Sequence, residues 1–290
     1  MRLPRVQRSG LRLAVVGHVE WVRFAHVVHV PRPGEVVHAL EPFDEPAGGG
    51  AVAAVQLARL AGSSTLLTAL GEDELASRSV DRLRELGVSV CCAPRAEQTR
   101  TAVSLFEASG ERTITTFGPR LEPSGADAEL PWGELGAMDG IYFTAGDQEA
   151  LRLARGARVL VASPRARAAL GHGVGLDALV LSGEDEGELR VAEQVGGEAQ
   201  LLVWTDGERG GRFRTRDGSS GSYPAAAAPA AAVDSYGCGD SFAAGLTYAL
   251  GSGMELAQAL SLAARCGAVC ATGRGPYERQ LSAADLAHAR

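Results

Sequence analysis

The middle of the chain alternates short apolar runs with segments of helical periodicity. The apolar runs, which predict strands, cover residues 140–144, 158–162, 178–181 and 200–205. The segments between them predict helices over 147–155, 164–170 and 185–194. Uninterrupted apolar runs are typical of strands buried on both faces, and strands joined by helical crossovers form parallel sheets. We therefore predict an α/β fold, with a doubly wound, mostly parallel sheet covered by helices on both faces.

Two segments break this alternation. Residues 21–40 contain two stretches of mixed polarity around Pro31-Arg32-Pro33-Gly34, and residues 101–117 resemble a hairpin around Ser109-Gly110-Glu111. Mixed polarity bounded by Pro and Gly predicts strands with one face in solvent. We predict that both segments leave the main sheet and form a small β lid, inserted into a single domain that spans residues 1–290. The exposed edges of such a lid favour pairing of two lids in a homodimer.

Composition excludes several classes of partner and of nucleotide site. The net charge of −7 and the lack of a basic run argue against nucleic acid and a membrane surface as partners. No apolar run reaches the roughly 20 residues that cross a bilayer. The chain has no Lys, which excludes a P-loop lysine and the strand lysine of protein kinases. Its five cysteines match no zinc spacing, so we expect free thiols in a cytoplasmic protein.

A glycine-rich segment, Gly237-Cys238-Gly239-Asp240, precedes an apolar segment with helical spacing over 242–250. Free backbone N–H groups at a helix start bind anions, and glycines let a phosphate approach closely. Asp240 adds a carboxylate beside that anion hole, and phosphoryl transfer to a hydroxyl requires such a base. The alternative is that Asp240 only caps the helix. The helix start also predicts a lowered thiol pKa for Cys238.

Residues 234–240, D-S-Y-G-C-G-D, resemble the D-T-x-G-A-G-D signature of the ribokinase (PfkB-type) sugar-kinase family. Four further stretches resemble motifs of that family. They are the P-x-P-G-E lid segment at 31–40, the first glycine motif at Gly48-Gly49-Gly50, the second lid hairpin at 99–102 and 110–113, and the nucleotide loop T-x-G-x-x-G at 205–210. The resemblance covers most of the chain and implies a ribokinase-like fold.

The resemblance implies ATP-dependent phosphorylation of a hydroxyl on a small sugar-like substrate, with Mg²⁺ as cofactor and K⁺ as a further cofactor left open. It implies that the general base is Asp240 and that the anion hole consists of Gly237, Cys238 and Gly239. The nucleotide-binding residues would be Thr205, Gly207, Gly210, Ser182 and Arg265. The substrate-binding residues would be Glu20, Gly48, Gly49, Gly50, Arg100 and Asp240 itself. The metal-binding residues would be Asp185 and Asp234.

The substrate side departs further from the family's pattern than the nucleotide side. Where the family writes G-x-x-N-x-D after its first strand, residues 17–22 are G-H-V-E-W-V, so Glu20 is the nearest carboxylate. The family's N-x-x-E becomes S-G-E-D at 182–185, where Asp185 could order a hydrated Mg²⁺. Two alternatives to a sugar kinase stay open. One is a nucleoside kinase of the same fold, and the other is a catalytically silent nucleotide- or metabolite-binding protein.

Three further features each have two interpretations. Trp21 could stack on a sugar or base, or pack inside the lid. Asp147 could contact the substrate, or cap the helix that it precedes. The histidines near the start of the chain could bind a metal, although scattered surface and core positions are the more common outcome.

Overall fold

The computed structural model describes residues 10–107 and 112–287. Its strands are β1 (Leu13–Val16), β2 (Glu20–Val27), β3 (Leu40–Ala47), β4 (Ser64–Gly71), β5 (Val88–Arg95), β6 (Thr101–Glu107), β7 (Arg112–Phe117), β8 (Gly140–Phe143), β9 (Leu160–Ala162), β10 (Ala178–Ser182), β11 (Leu201–Thr205), β12 (Gly211–Thr215) and β13 (Ser220–Tyr223). Its α-helices are α1 (Gly49–Ala61), α2 (Glu74–Glu85), α3 (Gln148–Ala154), α4 (Glu186–Val195), α5 (Cys238–Gly251), α6 (Leu256–Cys270) and α7 (Ala283–Ala287).

The main sheet has nine strands in the order β13-β12-β11-β10-β9-β8-β1-β4-β5. Neighbouring strands run parallel from β11 to β5, and β12 and β13 add an antiparallel hairpin at one edge. This confirms the predicted doubly wound, mostly parallel sheet. The chain passes from β1 to β4 and β5 on one side and later returns to β8 on the other side. In α/β sheets, ligands bind in the crevice beyond the carboxyl ends of strands where the order reverses in this way.

Adjacent residues of the central strands point to opposite faces of the main sheet. Val15 belongs to a core that includes α1, α5 and α6, whereas Val16 belongs to a second core that includes α3 and α4. Both faces are covered, which explains why these strands carry uninterrupted apolar residues. Among the described residues, no helix combines the length and apolarity needed to cross a membrane.

The predicted lid is a separate four-stranded sheet with the order β3-β2-β6-β7. Its two central strands, β2 and β6, run parallel, with Trp21 opposite Thr101. β3 and β7 pair antiparallel with them and form the two edges. Residues 110 and 111 of the predicted second lid hairpin lie outside the described residues.

The predicted extent of the first lid segment, 21–40, was wrong. Residues 28–39 form no strand, and the second strand of this segment is β3. Two prolines interrupt the sequence pattern of β3, but an edge strand tolerates proline because one side of its backbone needs no partner. Phe43 of β3 stacks on Phe24 of β2 with ring centroids 5.0 Å apart, and this contact stabilises the pairing.

The helix predicted over 164–170 was also wrong. Only a short 3-10 turn, Pro164–Ala166, follows β9. The Ser163 hydroxyl accepts a hydrogen bond from the Arg165 backbone N–H at 3.2 Å, which caps that turn. Since the turn is short and lies at the carboxyl end of β9, the Arg165 side chain can reach the crevice above the sheet.

Candidate active site

A cavity of about 170 Å³, here called the inner cavity, lies at the carboxyl ends of the central strands. Its lining includes residues at or just beyond the ends of β1, β9, β10 and β11: His18, Ser163, Ser182 and Thr205. Glu20 and Arg112 from the lid and Asp240 from α5 also line it. The fold therefore brings the predicted base to the crevice where the strand order reverses.

The start of α5 depends on a glycine. Gly237 precedes the helix with φ +80°, a left-handed conformation that L side chains rarely adopt. A Cβ added there would also lie 2.8 Å from Val52 Cγ1. Gly237 therefore lets the chain turn tightly into α5 against α1.

The first turn of α5 leaves backbone donors without acceptors. The Ser241 N–H donates to the Gly237 carbonyl at 2.8 Å, but the N–H groups of Gly239 and Asp240 have no backbone acceptor among the described residues. A Cβ at Gly239 would meet nothing within 4 Å, so the space beside these donors is open. Together with the helix dipole, the geometry is that of an anion site.

Asp240 is a half-buried carboxylate whose surroundings favour proton uptake. Burial raises its pKa, and the nearby Arg165 guanidinium opposes that shift. The Tyr142 hydroxyl donates to Asp240 Oδ1 at 3.4 Å. Burial and the Asp240 charge raise the pKa of Tyr142, so this hydroxyl stays protonated and can only donate to the carboxylate. The arrangement orients Asp240 and moves its pKa above that of a solvated aspartate.

The three glycines before and inside the first turn of α1 allow close approaches. The Gly48 N–H donates to the Tyr236 hydroxyl at 3.2 Å, and the Gly50 N–H donates to the His18 carbonyl at 3.1 Å. A Cβ at Gly49 would lie 2.8 Å from Asp240 Oδ1. Gly48 and Gly49 line the inner cavity directly, whereas Gly50 supports it from behind.

Glu20 and Arg100 form an ion pair beside the inner cavity, with Arg100 Nε 3.3 Å from Glu20 Oε2. Burial raises the pKa of Glu20, and the Arg100 guanidinium and a hydrogen bond from the Tyr236 hydroxyl partly offset this. Glu20 lines the inner cavity, whereas Arg100 lines a neighbouring pocket. His18 is buried, and its Nδ1 has no hydrogen-bond partner among the described residues. Burial and three guanidiniums lower the pKa of His18, which is therefore neutral.

A larger groove of about 750 Å³, here called the outer groove, continues from the inner cavity. Both are lined by Thr205, Ser235 and Gly239. Of the predicted nucleotide residues, Thr205, Gly207 and Gly210 line the outer groove, and Ser182 lines the inner cavity. Arg265 lines neither of them and lies in a separate depression on the surface.

The two predicted metal ligands are engaged with backbone groups. Asp185 caps α4, where its Oδ1 accepts from the N–H groups of Gly187 at 2.8 Å and Glu188 at 3.1 Å. Asp234 is buried and accepts from the N–H groups of Tyr236 at 2.8 Å and Gly275 at 3.0 Å. Among the described residues, no group of three or more potential ligands could hold a metal without help from a substrate.

The carboxylates of the inner cavity nevertheless fit a hydrated Mg²⁺. Asp240 and Glu188 both line it. Each Glu188 oxygen already accepts one hydrogen bond, from the Ser182 N–H or from Arg165 Nε, and keeps a second lone pair for a metal-bound water. A nucleotide-bound Mg²⁺ keeps several waters and needs only one or two protein carboxylates. These oxygen donors therefore suit an ion that arrives bound to the phosphates of a nucleotide. The metal site that the histidines near the start of the chain could have formed is not present among the described residues.

Sequence reasoning missed Tyr142, Arg165 and Glu188, which all line the inner cavity. Glu188 Oε2 accepts from the Ser182 N–H at 2.8 Å, and its Oε1 accepts from Arg165 Nε at 2.9 Å. One signal was available, because Glu188 follows the capping residue Asp185 by three positions and so begins the buried face of α4. In the sequence, Tyr142 resembles an ordinary core residue of β8. Arg165 was missed because it lies within the helix that was wrongly predicted over 164–170.

Cys238 does not have the lowered pKa expected at a helix start. The interaction with the Cys270 thiol raises the pKa of Cys238, and burial adds to this because little solvent remains to stabilise a thiolate. The Cys270 thiol donates to the Tyr236 carbonyl at 3.4 Å. Cys238 lines the outer groove, and its thiol donates to the Asp234 carbonyl at 4.0 Å, so the thiol is engaged on the loop before α5.

The open interpretations of Trp21 and Asp147 are resolved by their contacts. Trp21 is buried in the lid, and the Arg78 guanidinium lies 4.4 Å from its ring centroid. Asp147 caps α3, where its Oδ1 accepts from the Ala150 N–H at 2.8 Å. Neither side chain lines the inner cavity or the outer groove.

Comparisons with known proteins agree with this architecture. The family model described as pfkB family carbohydrate kinase matches residues 11–160 and 176–283. A Thermotoga maritima ribokinase structure has 20% identity and a TM-score of 0.75, covering 96% of this chain and 98% of its own. A structure of Burkholderia thailandensis nucleoside kinase in complex with inosine has 20% identity and a TM-score of 0.75, and the alignment covers 94% of this chain and 95% of that one.

A third structure is that of Arabidopsis thaliana ribokinase with ribose and ATP. It has 16% identity and a TM-score of 0.74, and the alignment covers 96% of this chain and 98% of that one. No sequence match was found among curated proteins. At these identities, the structural likeness establishes the fold, and the family model establishes the relationship.

Proposed function

Because the chain belongs to the pfkB family of carbohydrate kinases, we propose that it transfers the γ-phosphoryl group of ATP to a hydroxyl of a small sugar or sugar derivative. One observation carries this proposal. The Asp240 carboxylate faces the inner cavity beside N–H groups at the start of α5 that have no backbone acceptor in the part of the chain that the structure describes, and the outer groove meets the cavity at Gly239. A base, an anion site and a groove of nucleotide size thus adjoin one another.

In the proposed reaction, the acceptor hydroxyl lies in the inner cavity and the nucleotide lies in the outer groove. Asp240 accepts the hydroxyl proton as the oxygen–phosphorus bond forms and the bond to the ADP oxygen breaks. Tyr142 orients the carboxylate, and burial makes it a stronger base. The N–H groups of Gly239 and Asp240 stabilise the negative charge on the transferred group. An intact base and anion site argue against a silent binding protein.

Mg²⁺, when bound with ATP, would neutralise phosphate charge, and Asp240 and Glu188 are the carboxylates that would hold its water shell. K⁺ stays a prediction from the family resemblance. Asp234 would affect either ion indirectly, because its two oxygens hold the loop before α5 through backbone N–H groups.

A sugar-sized acceptor is preferred over a nucleoside because the inner cavity is small and the pocket that adjoins it is lined by arginines, with no aromatic side chain among the described residues that line that pocket for a base to stack on. The inner cavity's volume of about 170 Å³ is below the roughly 300–1,000 Å³ typical of sites for drug-sized ligands. The nucleoside alternative is kept because a nucleoside kinase is among the similar structures. A screen of sugars, polyols and nucleosides for ATP-dependent phosphorylation distinguishes the two.

We also propose a cytoplasmic homodimer that pairs through the lid. Every residue of the edge strand β7 is exposed, including Ile114 at 39% and Phe117 at 54%. Unpaired strand edges with apolar side chains favour association with another edge. Light scattering at micromolar concentration that gives the monomer mass would contradict the dimer.

The decisive test of the base is Asp240→Asn, with Asp81→Asn on the exposed face of α2 as a matched control. Loss of general-base catalysis should lower kcat by about 10²–10⁴-fold, while thermal unfolding and ATP binding change little. The control should keep the wild-type kcat. If Asp240→Asn keeps more than about a tenth of the wild-type kcat, the residue is only a helix cap and the proposed mechanism is wrong.

A further inference from the structure

A second pocket, here called the arginine pocket, adjoins the inner cavity. It has a volume of about 520 Å³, and its lining includes Arg100, Arg120, Arg165 and Arg167. Arg165 and Glu188 line both the arginine pocket and the inner cavity, so the two spaces meet there. A ligand with its hydroxyl at Asp240 could therefore extend into the arginine pocket.

Three of the four arginines that line the arginine pocket contact a carboxylate. Arg165 uses its Nε to reach Glu188 Oε1 at 2.9 Å, and Arg100 directs its Nε toward Glu20 Oε2 at 3.3 Å. Arg120 pairs with Glu122 and also donates to the Arg165 carbonyl at 2.9 Å. These contacts fix the positions of three guanidiniums without occupying all of their donors.

Several strong donors in the arginine pocket lack acceptors. Within the described residues, no hydrogen bond engages the terminal nitrogens of Arg100 and Arg165, and Arg167 has neither a hydrogen bond nor an ion pair. Arg100 Nε is buried without a well-aligned acceptor despite its ion pair. Arg100 is largely buried, with a side chain 19% exposed, whereas the Arg165 side chain is 53% exposed and Arg167 also faces solvent. A bound anion would supply the acceptor that Arg100 lacks and would replace water at the donors of Arg165 and Arg167.

The floor between the two spaces has the same electrostatic character. His18 is 94% buried, its Nδ1 lacks a partner, and the charges of Arg120, Arg165 and Arg100 help to keep it neutral. The sequence has no aspartate after β1 to contact sugar hydroxyls, since residues 17–22 are G-H-V-E-W-V. The substrate side therefore combines the Glu20 carboxylate with several cationic donors and has no aspartate at the family's position.

An arginine guanidinium can donate two parallel hydrogen bonds to the two oxygens of a carboxylate or to two oxygens of a phosphate. A neutral polyol has no group that needs such a site, whereas Arg165 and Arg167 both line the arginine pocket and could face an anion bound in it. We propose that the arginine pocket binds an anionic group, a carboxylate or a phosphate ester, on the acceptor whose hydroxyl faces Asp240. This inference rests on the proposed kinase function and narrows its substrate to acidic sugar derivatives.

The first test compares matched acceptors on the wild-type protein. An aldose, its aldonate and its terminal phosphate ester are compared for kcat/KM with MgATP and for binding by calorimetry. At least one anionic member should exceed its neutral parent by tenfold or more in both measurements. The member that does so tells whether carboxylate or phosphate is recognised. Equal or better use of the neutral aldose would overturn the inference and leave the kinase function intact.

The second test removes guanidiniums from the arginine pocket by Arg167→Met and Arg120→Met. Each should weaken binding of the preferred anion by about 10- to 100-fold, the range expected for charge-assisted hydrogen bonds. The KM for the anionic acceptor should rise far more than the KM for ATP. Arg84→Met, on the exposed surface of α2, removes the same charge at a distance and should change neither value.

The binding measurement separates the two levels of the proposal. Anion binding that is lost in the variants, without turnover of any acceptor, would reject the kinase function and keep the arginine pocket as an anion site. Unchanged anion binding in both correctly folded variants, as judged by thermal unfolding, would overturn the inference.

Discussion

Gly49→Ala should damage catalysis without damaging the fold. The added Cβ would lie 2.8 Å from Asp240 Oδ1 and 3.1 Å from Thr144 Oγ1. Ordinary van der Waals contact begins at 3.4 Å, so the carboxylate must move by at least about 0.6 Å. The Asp240 side chain can rotate to make this room, and the φ of Gly49 is not positive. Unfolding should therefore change by less than about 1 kcal/mol.

The cost in activity follows from the precision that proton transfer needs. Catalytic groups must stay within about 0.5 Å of productive geometry, and a displacement of about 1 Å can cost about 100-fold. A shift of about 0.6 Å should lower kcat by about 10- to 100-fold, equivalent to about 1.4–2.7 kcal/mol of barrier. An ADP-release assay at saturating ATP and acceptor measures this loss.

Gly133→Ala provides the matched control, since a Cβ at Gly133 would meet nothing within 4 Å. It adds the same methyl group away from the inner cavity and should keep the wild-type kcat. If Gly49→Ala stays within twofold of wild type at equal stability, then the position of the Asp240 carboxylate does not limit phosphoryl transfer, and the reasoning from the glycine contact is refuted.

Three further outcomes are expected. Glu20→Gln should raise the KM for the acceptor by about 10-fold or more and leave the KM for ATP within twofold, as steady-state kinetics would reveal, because Glu20 lines the inner cavity and is not among the residues that line the outer groove. Asp234→Ala should lower the free energy of unfolding in urea by about 3 kcal/mol, since two buried backbone N–H groups lose a charged acceptor; a loss below 1 kcal/mol would contradict this. Burial raises the pKa of Asp240, and this carboxylate must be deprotonated to act as a base. As the pH is lowered, kcat/KM should therefore begin to fall at a higher pH than the ordinary aspartate pKa of about 3.9. Because the Arg165 charge lowers the Asp240 pKa, Arg165→Met should move that fall to still higher pH.

The main sheet could be predicted from the sequence because its strands are buried on both faces. The runs predicted at 140–144 and 178–181 correspond to β8 and β10 within one residue at each end. β3 could not be predicted in the same way, because its prolines and half-exposed residues obscure the strand pattern of an edge. A strand that is buried on both faces is therefore easier to predict from the sequence than an edge strand with one exposed face.

The candidate site was predictable only where it follows a local motif. The glycines and Asp240 adjoin in the sequence, and the start of α5 brings them together without help from other elements. Tyr142, Arg165 and Glu188 come from three separate elements, and only the strand order makes them neighbours. The pKa of Cys238 was mispredicted for the same reason, since the helix start is visible in the sequence and the burying contact with Cys270 is not.

The parallel pairing of β2 with β6 has a consequence for how the chain folds. Trp21 and Thr101 are neighbours in the lid although about 80 residues separate them, and the intervening β4, α2 and β5 contribute to the main structure. Closing so long a loop is entropically unfavourable until the intervening segment has become compact. The lid sheet should therefore form after β1, β4 and β5 have associated.

The part of the structure that forms last should also be the part that opens first when the native protein fluctuates. The lid is a small sheet that is not hydrogen-bonded into the main sheet, so its strands can open locally without global unfolding. Backbone amides of β2 and β6 should then exchange with deuterium before those of β1 and β8. Such opening would expose the inner cavity to solvent, so the late-folding part of the chain would also be the gate through which ligands enter.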